Sequence, residues 1–279
     1  MLVTLKEILA IAKERRIAVG SFNTPNLASL RAIIAAAEEL DQPVILMHAQ
    51  VHEEMGLCTM EEVAPIMLAA AKRASVPVCV HLDHGTDLAY IERGLALGFT
   101  GVMFDGSALS HEENFEKTKE AVRMAARTGA SVEAEIGSMG AREGGNATDM
   151  ECPESIYTDP DMAKRFVEET GIDALACAFG TVHGLYVKEP KLDFDRLAKI
   201  DSLVSVPLVM HGGSGVSVDD YRRVISLGIS KINYYTYMSK AGAEAINGKT
   251  FTQYHDILKA ATEAMKIDVA NAIRVFSGL

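Results

Sequence analysis

Short β-branched apolar runs recur along the 279-residue chain, each giving way to a polar turn and then to apolar positions at helical spacing. The runs lie at 17–23 (IAVGSFN), 43–48 (PVILMH), 76–84 (VPVCVHLDH), 100–106 (TGVMFDG), 131–137 (SVEAEIG), 173–180 (DALACAFG), 206–213 (VPLVMHGG) and 230–236 (SKINYYT). Amphipathic stretches at 26–40, 112–129 and 158–171 occupy intervals between them. The last opens with a Thr cap and a first-turn Pro and closes on Gly, which marks both of its ends. Strand–helix units repeated eight times within ~240 residues predict an α/β fold, a (β/α)8 TIM barrel. A doubly wound sheet is the competing architecture, but no Gly-rich dinucleotide turn follows the first run.

No linker or low-complexity stretch divides the chain, so residues 1–279 are expected to form a single barrel domain. Residues 241–279 continue a helical pattern past the last unit, an additional C-terminal segment suited either to capping the barrel or to packing on another subunit. One irregular segment, 137–157, exceeds the usual loop length and carries the flexible EGG sequence. It follows the fifth run on the face where barrel sites form, and is expected to act as a mobile lid.

A hydrophobic content of 48% supports a large core, and the charge narrows the partners. With 27 Lys and Arg against 38 Asp and Glu, the chain offers no basic patch for nucleic acid and reads as a soluble cytoplasmic protein. Cys58, Cys79, Cys152 and Cys177 lack CxxC spacing and read as free thiols in a reducing compartment. The opening MLVTLKEILAIAKERR has no uninterrupted apolar core or small-residue cleavage site, and no apolar run approaches the ~20 residues of a membrane span. Neither export nor membrane insertion is expected.

Polar residues collect where the runs end. Asn23 closes the first, Asp83 and His84 the third, Asp105 the fourth and Glu135 the fifth; His183 follows the sixth, His211 ends the seventh, and Asn233 and Thr236 the eighth. All fall at C-terminal strand ends, the face that carries barrel active sites. Three imidazoles converging there suit a borderline divalent ion such as zinc, with one coordination position left open for substrate. Taken singly, each histidine is more readily a hydrogen-bonded core residue. The MHGGSG turn at 210–215 follows the seventh run, where backbone N–H groups of barrel enzymes cradle phosphate, and Asn233 and Thr236 add side-chain donors. On its own, a GGSG sequence is equally a flexible turn. The sixth run contains no lysine, and Lys231 begins the eighth at its N-terminal end, away from the expected site, which argues against Schiff-base chemistry.

Taken together, GSFN near the start, HLDHG (81–85), GFTGVMFDGS (98–107), VEAEIG (132–137), the long stretch at 158–186 and VPLVMHGGSG (206–215) resemble the class II, metal-dependent ketose-bisphosphate aldolases, the fructose- and tagatose-1,6-bisphosphate aldolase group. The resemblance implies Asp83 as catalytic acid/base and His84, His183 and His211 as zinc ligands. Asp105 and Glu135 take a second or alternative metal position, and a monovalent cation is a further cofactor the group allows. Asn23, Gly184, Gly212, Gly213, Ser214, Asn233 and Thr236 fall on the substrate positions, most of them around the dihydroxyacetone phosphate. The implied substrate is a phosphorylated sugar, and the implied assembly a homodimer or homotetramer.

Two departures concern the aldehyde half of the substrate. Ala49 stands where a phosphate-holding Ser is expected, in MHAQVHEEMG, and Tyr234 and Tyr235 precede Thr236 where small or aliphatic residues are usual. His48, Gln50 and His52 are the nearby candidates for contacting that half. A non-catalytic sugar-phosphate-binding barrel and a metal-dependent hydrolase stay open as alternatives.

Overall fold

The computed structural model describes residues 1–137, 156–184 and 190–279. The expected lid at 137–157 therefore lies largely outside the described residues. The barrel strands are β2 (Val19–Asn23), β3 (Val44–Ala49), β4 (Val78–Gly85), β5 (Gly101–Phe104), β6 (Ser131–Ile136), β7 (Ala174–Cys177), β8 (Leu208–Met210) and β9 (Ile229–Tyr234). All pair in parallel with their sequence neighbours, β9 returns to β2, and β4 pairs with β5, closing the ring. The predicted eight-stranded barrel is thus the fold, and helices follow its strands around the outside.

A strand the periodicity did not predict, β1 (Leu2–Val3), pairs with β4 at Val78 and Cys79, below the point where β5 joins at His81. The chain then enters α1 (Leu5–Arg15), opened by a Thr4–Glu7 capping box. This helix seals the N-terminal mouth of the barrel. Its Leu5, Ile8, Leu9 and Ala12 are fully buried against Val19, Ile45, Cys79, Ala174, Ala176 and Val209. Each Leu or Ile buried there contributes about 1.5–3 kcal/mol. The amides of Leu5 and Lys6 tie its first turn to Thr100 O and Ser131 Oγ at 3.4 and 3.0 Å.

Alternation along each strand separates the two sides of the barrel wall. Val78, Val80 and Leu82 of β4 join the outer apolar layer under the helices, whereas Cys79 joins the floor, leaving His81 and Asp83 to continue the inward series. The same period sends Ser21 and Asn23, Glu133 and Glu135, and Lys231 and Asn233 inward.

One helix boundary is corrected, and the expected helical C-terminal segment is present. The helix predicted at 158–171 is α7 (Pro160–Thr170), capped by Asp159 rather than Thr158. Thr158 is buried instead, donating to Ile136 O and accepting from the Ala178 amide, which ties the ends of β6 and β7 together. The C-terminal segment forms α10 (Thr236–Ile246) and α11 (Tyr254–Ser277). α11 packs along α2 (Leu27–Leu40), and Phe276 wedges beside Tyr221 and Tyr234, with ring centroids 5.0 and 6.1 Å away.

Candidate active site

Strict alternation would aim Asp83 into the barrel and His84 out of it. A register shift between Leu82 and Gly85 breaks the β4–β5 ladder at this point, and His84 adopts φ 102°, a left-handed torsion that non-glycine residues rarely take. The bulge lets consecutive side chains face one space. Backbone strain of this kind costs of order 1–3 kcal/mol and persists where surrounding structure enforces it.

His211 lies directly after β8 and His183 after β7, and both reach the same space. One ring nitrogen from each of His84, His183 and His211 falls within 4.8 Å of the others, and the ring centroids are 4.6 to 5.8 Å apart. Two of the rings are held from behind by carboxylates. His84 Nδ1 contacts Asp105 Oδ2 at 2.9 Å, and His211 Nε2 contacts Glu133 Oε1 at 2.7 Å. Asp105 is itself fixed through its other oxygen, which accepts from the Ser107 amide and hydroxyl at 3.0 and 2.6 Å. The opposite nitrogens, His84 Nε2 and His211 Nδ1, are buried without a hydrogen-bond partner. Buried imidazole nitrogens facing one another, each backed by a carboxylate, are the donor set that zinc takes.

Electrostatics agree with that fit. Burial opposes the charge on His84, but the carboxylates of Asp83, Asp105 and Glu135 reverse the balance and hold its imidazole well above the ordinary histidine range. The same negative field favours a bound divalent cation. Glu135 Oε2 lies 3.5 Å from His211 Nδ1; burial and the like charges of Asp105, Glu133 and Asp83 push its carboxyl well up. His84, Asp105 and Glu135 also form a second group with metal-ligand spacing. The two groups have His84 in common.

Asp83 is fully buried, with Oδ2 3.7 Å from His84 Nε2. Burial alone would raise its carboxyl, yet His84, Lys231, His211 and His81 around it hold it well below the usual range. Asn233 Nδ2 donates to both of its oxygens at 3.2 and 3.1 Å. Asn23, at the end of β2, is buried in the same inner layer.

The glycine turn splices β8 to β9. Gly213 N donates to Asn233 O at 3.2 Å, so that amide is used within the protein and is not available as an anion donor. Ser214 Oγ accepts from the amides of Tyr235 and Thr236, both at 3.1 Å, at the start of α10. Its hydroxyl proton is left to donate. A Cβ on Gly212, at φ 61°, would lie 2.3 Å from Val182 O, and one on Gly213 would lie 2.8 Å from Asn233 O. Gly184 follows His183 at φ 102°. Gly213→Ala is expected to displace the turn and lower kcat/KM for a phosphorylated ketose about 100-fold, the cost of a ~1 Å misplacement. Steady-state kinetics with a matched thermal melt check this.

Lys231 is not away from the site. Its ammonium points into the barrel, fully buried, 2.7 Å from Asn233 Oδ1, 2.9 Å from Glu133 Oε2 and 4.0 Å from Asp83 Oδ1. Glu133 and His81 belong to the same cluster, with His81 Nε2 3.5 Å from Glu133 Oε2. None of these three residues closes its run, so the strand-end pattern does not single them out. The signal was the period of two: Glu133 precedes Glu135, Lys231 precedes Asn233 and His81 precedes Asp83 by one inward step.

A closed parallel barrel with a three-histidine pocket at the C-terminal ends of its strands defines a metal-dependent barrel enzyme. The profile of the family described as fructose-bisphosphate aldolase class-II matches residues 3–278. The fructose-bisphosphate aldolases of Staphylococcus aureus and Staphylococcus epidermidis are each 38% identical over 282 residues, covering 99% of this chain and 97% of theirs. The crystal structure of the YdjI aldolase from Escherichia coli K12 superposes with a TM-score of 0.88 at 36% identity, covering 99% of this chain and 97% of that one. The chain belongs to the class II fructose-bisphosphate aldolase family. Of the readings the sequence left open, this selects the aldolase, a carbon–carbon lyase of a family that uses a divalent metal. Among the described residues, no helix is long and apolar enough to cross a membrane.

Proposed function

We propose that this protein catalyses reversible cleavage of a ketose 1-phosphate or 1,6-bisphosphate to dihydroxyacetone phosphate and an aldehyde. Residues 1–279 act as one catalytic domain. His84, His183 and His211 hold zinc, and Asp105 and Glu135 supply the second or alternative position. Bound there, the metal supplies a Lewis acid that stabilises the negative charge left on the ketone-derived half.

The remaining chemistry belongs to the chain. Asp83 takes the proton from the hydroxyl on the carbon whose bond breaks, and returns it in the synthetic direction. Asn233 aims both lone-pair faces of that carboxylate. Ser214, Thr236, Gly212 and Gly184 bind the phosphate of the dihydroxyacetone half, Gly213 shapes the turn that presents them, and Asn23 closes the other side of the pocket. The observation that carries this reading is the Asp83 carboxylate set 3.7 Å from the unpartnered nitrogen of His84, at the edge of the three-imidazole pocket.

On the aldehyde side, Ala49 pairs in register with Asp83 and presents only a methyl group. Beyond it, His52 on α3 (Gln50–Glu54) meets Tyr235, ring centroids 5.1 Å apart. Burial and the neighbouring His48 push His52 down to about 4, so it is neutral near pH 7. Gln50 is occupied with the Thr86 amide and hydroxyl, at 3.2 and 3.3 Å. This wall favours an uncharged group over a second phosphate.

The test is a panel of phosphorylated ketoses offered to zinc-loaded protein, with dihydroxyacetone phosphate detected by a coupled reductase. At least one ketose is expected to release it. No release from any of them by protein of verified metal content would overturn the proposal.

A further inference from the structure

The inner layer of a TM barrel is normally filled by branched apolar side chains. Here it holds Glu133 and Lys231, both fully buried, from strands on either side of β7 and β8. Buried ion pairs are a poor source of stability, because desolvation offsets their attraction. Their contacts give another reason for their presence. Glu133 touches His211 through Oε1 and Lys231 through Oε2, at 2.7 and 2.9 Å. Lys231 also donates to Asn233 Oδ1 at 2.7 Å, and Asn233 donates through its other amide atom to Asp83.

Building on the proposed zinc-dependent reaction, we infer that Glu133 and Lys231 are a positioning pair, in which Glu133 sets the metal-facing nitrogen of His211 and Lys231 sets the amide that aims Asp83. The carboxylate of Glu133 requires a proton on His211 Nε2, which leaves the Nδ1 lone pair turned toward His84 and His183. The ammonium of Lys231 has only donors, so it fixes the Asn233 oxygen on its own side and leaves the Asn233 NH2 for Asp83. A rotated amide would set oxygen against carboxylate. His81, Asp83 and Glu133 have metal-ligand spacing as well, but the ammonium beside them already supplies the compensating charge. One cation below the site thus connects a metal ligand and the acid/base without touching substrate.

Glu133→Gln keeps the shape and removes the obligate acceptor. Apo-protein carrying it is expected to bind zinc about 10–100-fold more weakly, measured by competition with a chromophoric chelator, and to show an altered cobalt(II) absorption spectrum. Lys231→Met is expected to lower kcat ~100-fold with KM near the wild-type value, and Lys231→Arg to recover part of that loss. Wild-type zinc affinity and spectrum in Glu133→Gln, or wild-type kcat in Lys231→Met, would overturn the inference. If a single variant fails to fold by circular dichroism, the double variant Glu133→Gln with Lys231→Met removes both charges and is read in the same way: weakened zinc binding and lowered kcat support the pair, and wild-type values refute it. The zinc measurement needs no substrate. Wild-type protein that binds zinc but cleaves no ketose would therefore sink the proposed reaction while leaving the Glu133 result to stand or fall by itself.

Discussion

Asp83→Ala lowers kcat by about 10²–10⁴-fold, the contribution expected of a positioned general acid/base, while the protein retains its zinc. The expectation follows from where Asp83 sits. It is outside the three-imidazole group, so its removal takes away no nitrogen donor, yet its oxygens are the polar atoms aimed beside that group. Removing this carboxylate weakens the negative field over the pocket, but the three imidazoles and the carboxylates of Asp105 and Glu135 stay in place to hold the cation. Metal content by mass spectrometry and turnover in the coupled assay separate the two effects. Turnover at the wild-type rate would show that Asp83 merely orients His84. A zinc-free variant would show that it belongs to the metal shell.

Stripping the metal is expected to abolish cleavage, with zinc alone restoring it. Among the described residues, the buried cation beside Asp83, Lys231, is already engaged by Glu133 and Asn233. A chelated, dialysed preparation verified as metal-free should therefore show only background release of dihydroxyacetone phosphate. Undiminished activity in that preparation would rule the mechanism out. Zinc affinity should also fall as pH is lowered. His84 has a raised pKa, so the proton it carries must leave before the ring can coordinate, and acid shifts that competition toward the proton.

The barrel was legible from the chain because each strand carries its own local signal, an apolar run bounded by turn residues. The rim was legible for a related reason: polar residues at the ends of apolar runs, such as Asp105 after VMF and His211 after LVM, have no structural explanation in a sheet buried on both faces. What could not be read was geometry that depends on closure. Lys231 looks remote on a linear strand, but it reaches Glu133 only because β6 and β9 curve round a common axis. Thr158 looks like the cap in the sequence, and only the spacing of β6 and β7 draws it inward and leaves the cap to Asp159. The bulge at His84 is invisible for the same reason, being a property of the ladder between two strands.

That bulge also limits which residues can ever stand at position 84. The torsion there is tolerated by glycine and, among side-chain-bearing residues, most readily by asparagine, aspartate and histidine. Valine or isoleucine would press the strand back into regular pairing and swing the side chain toward the outer helices. Drift at this position is therefore filtered by stereochemistry before it is filtered by reactivity, and asparagine is the exchange that would silence the donor while sparing the backbone.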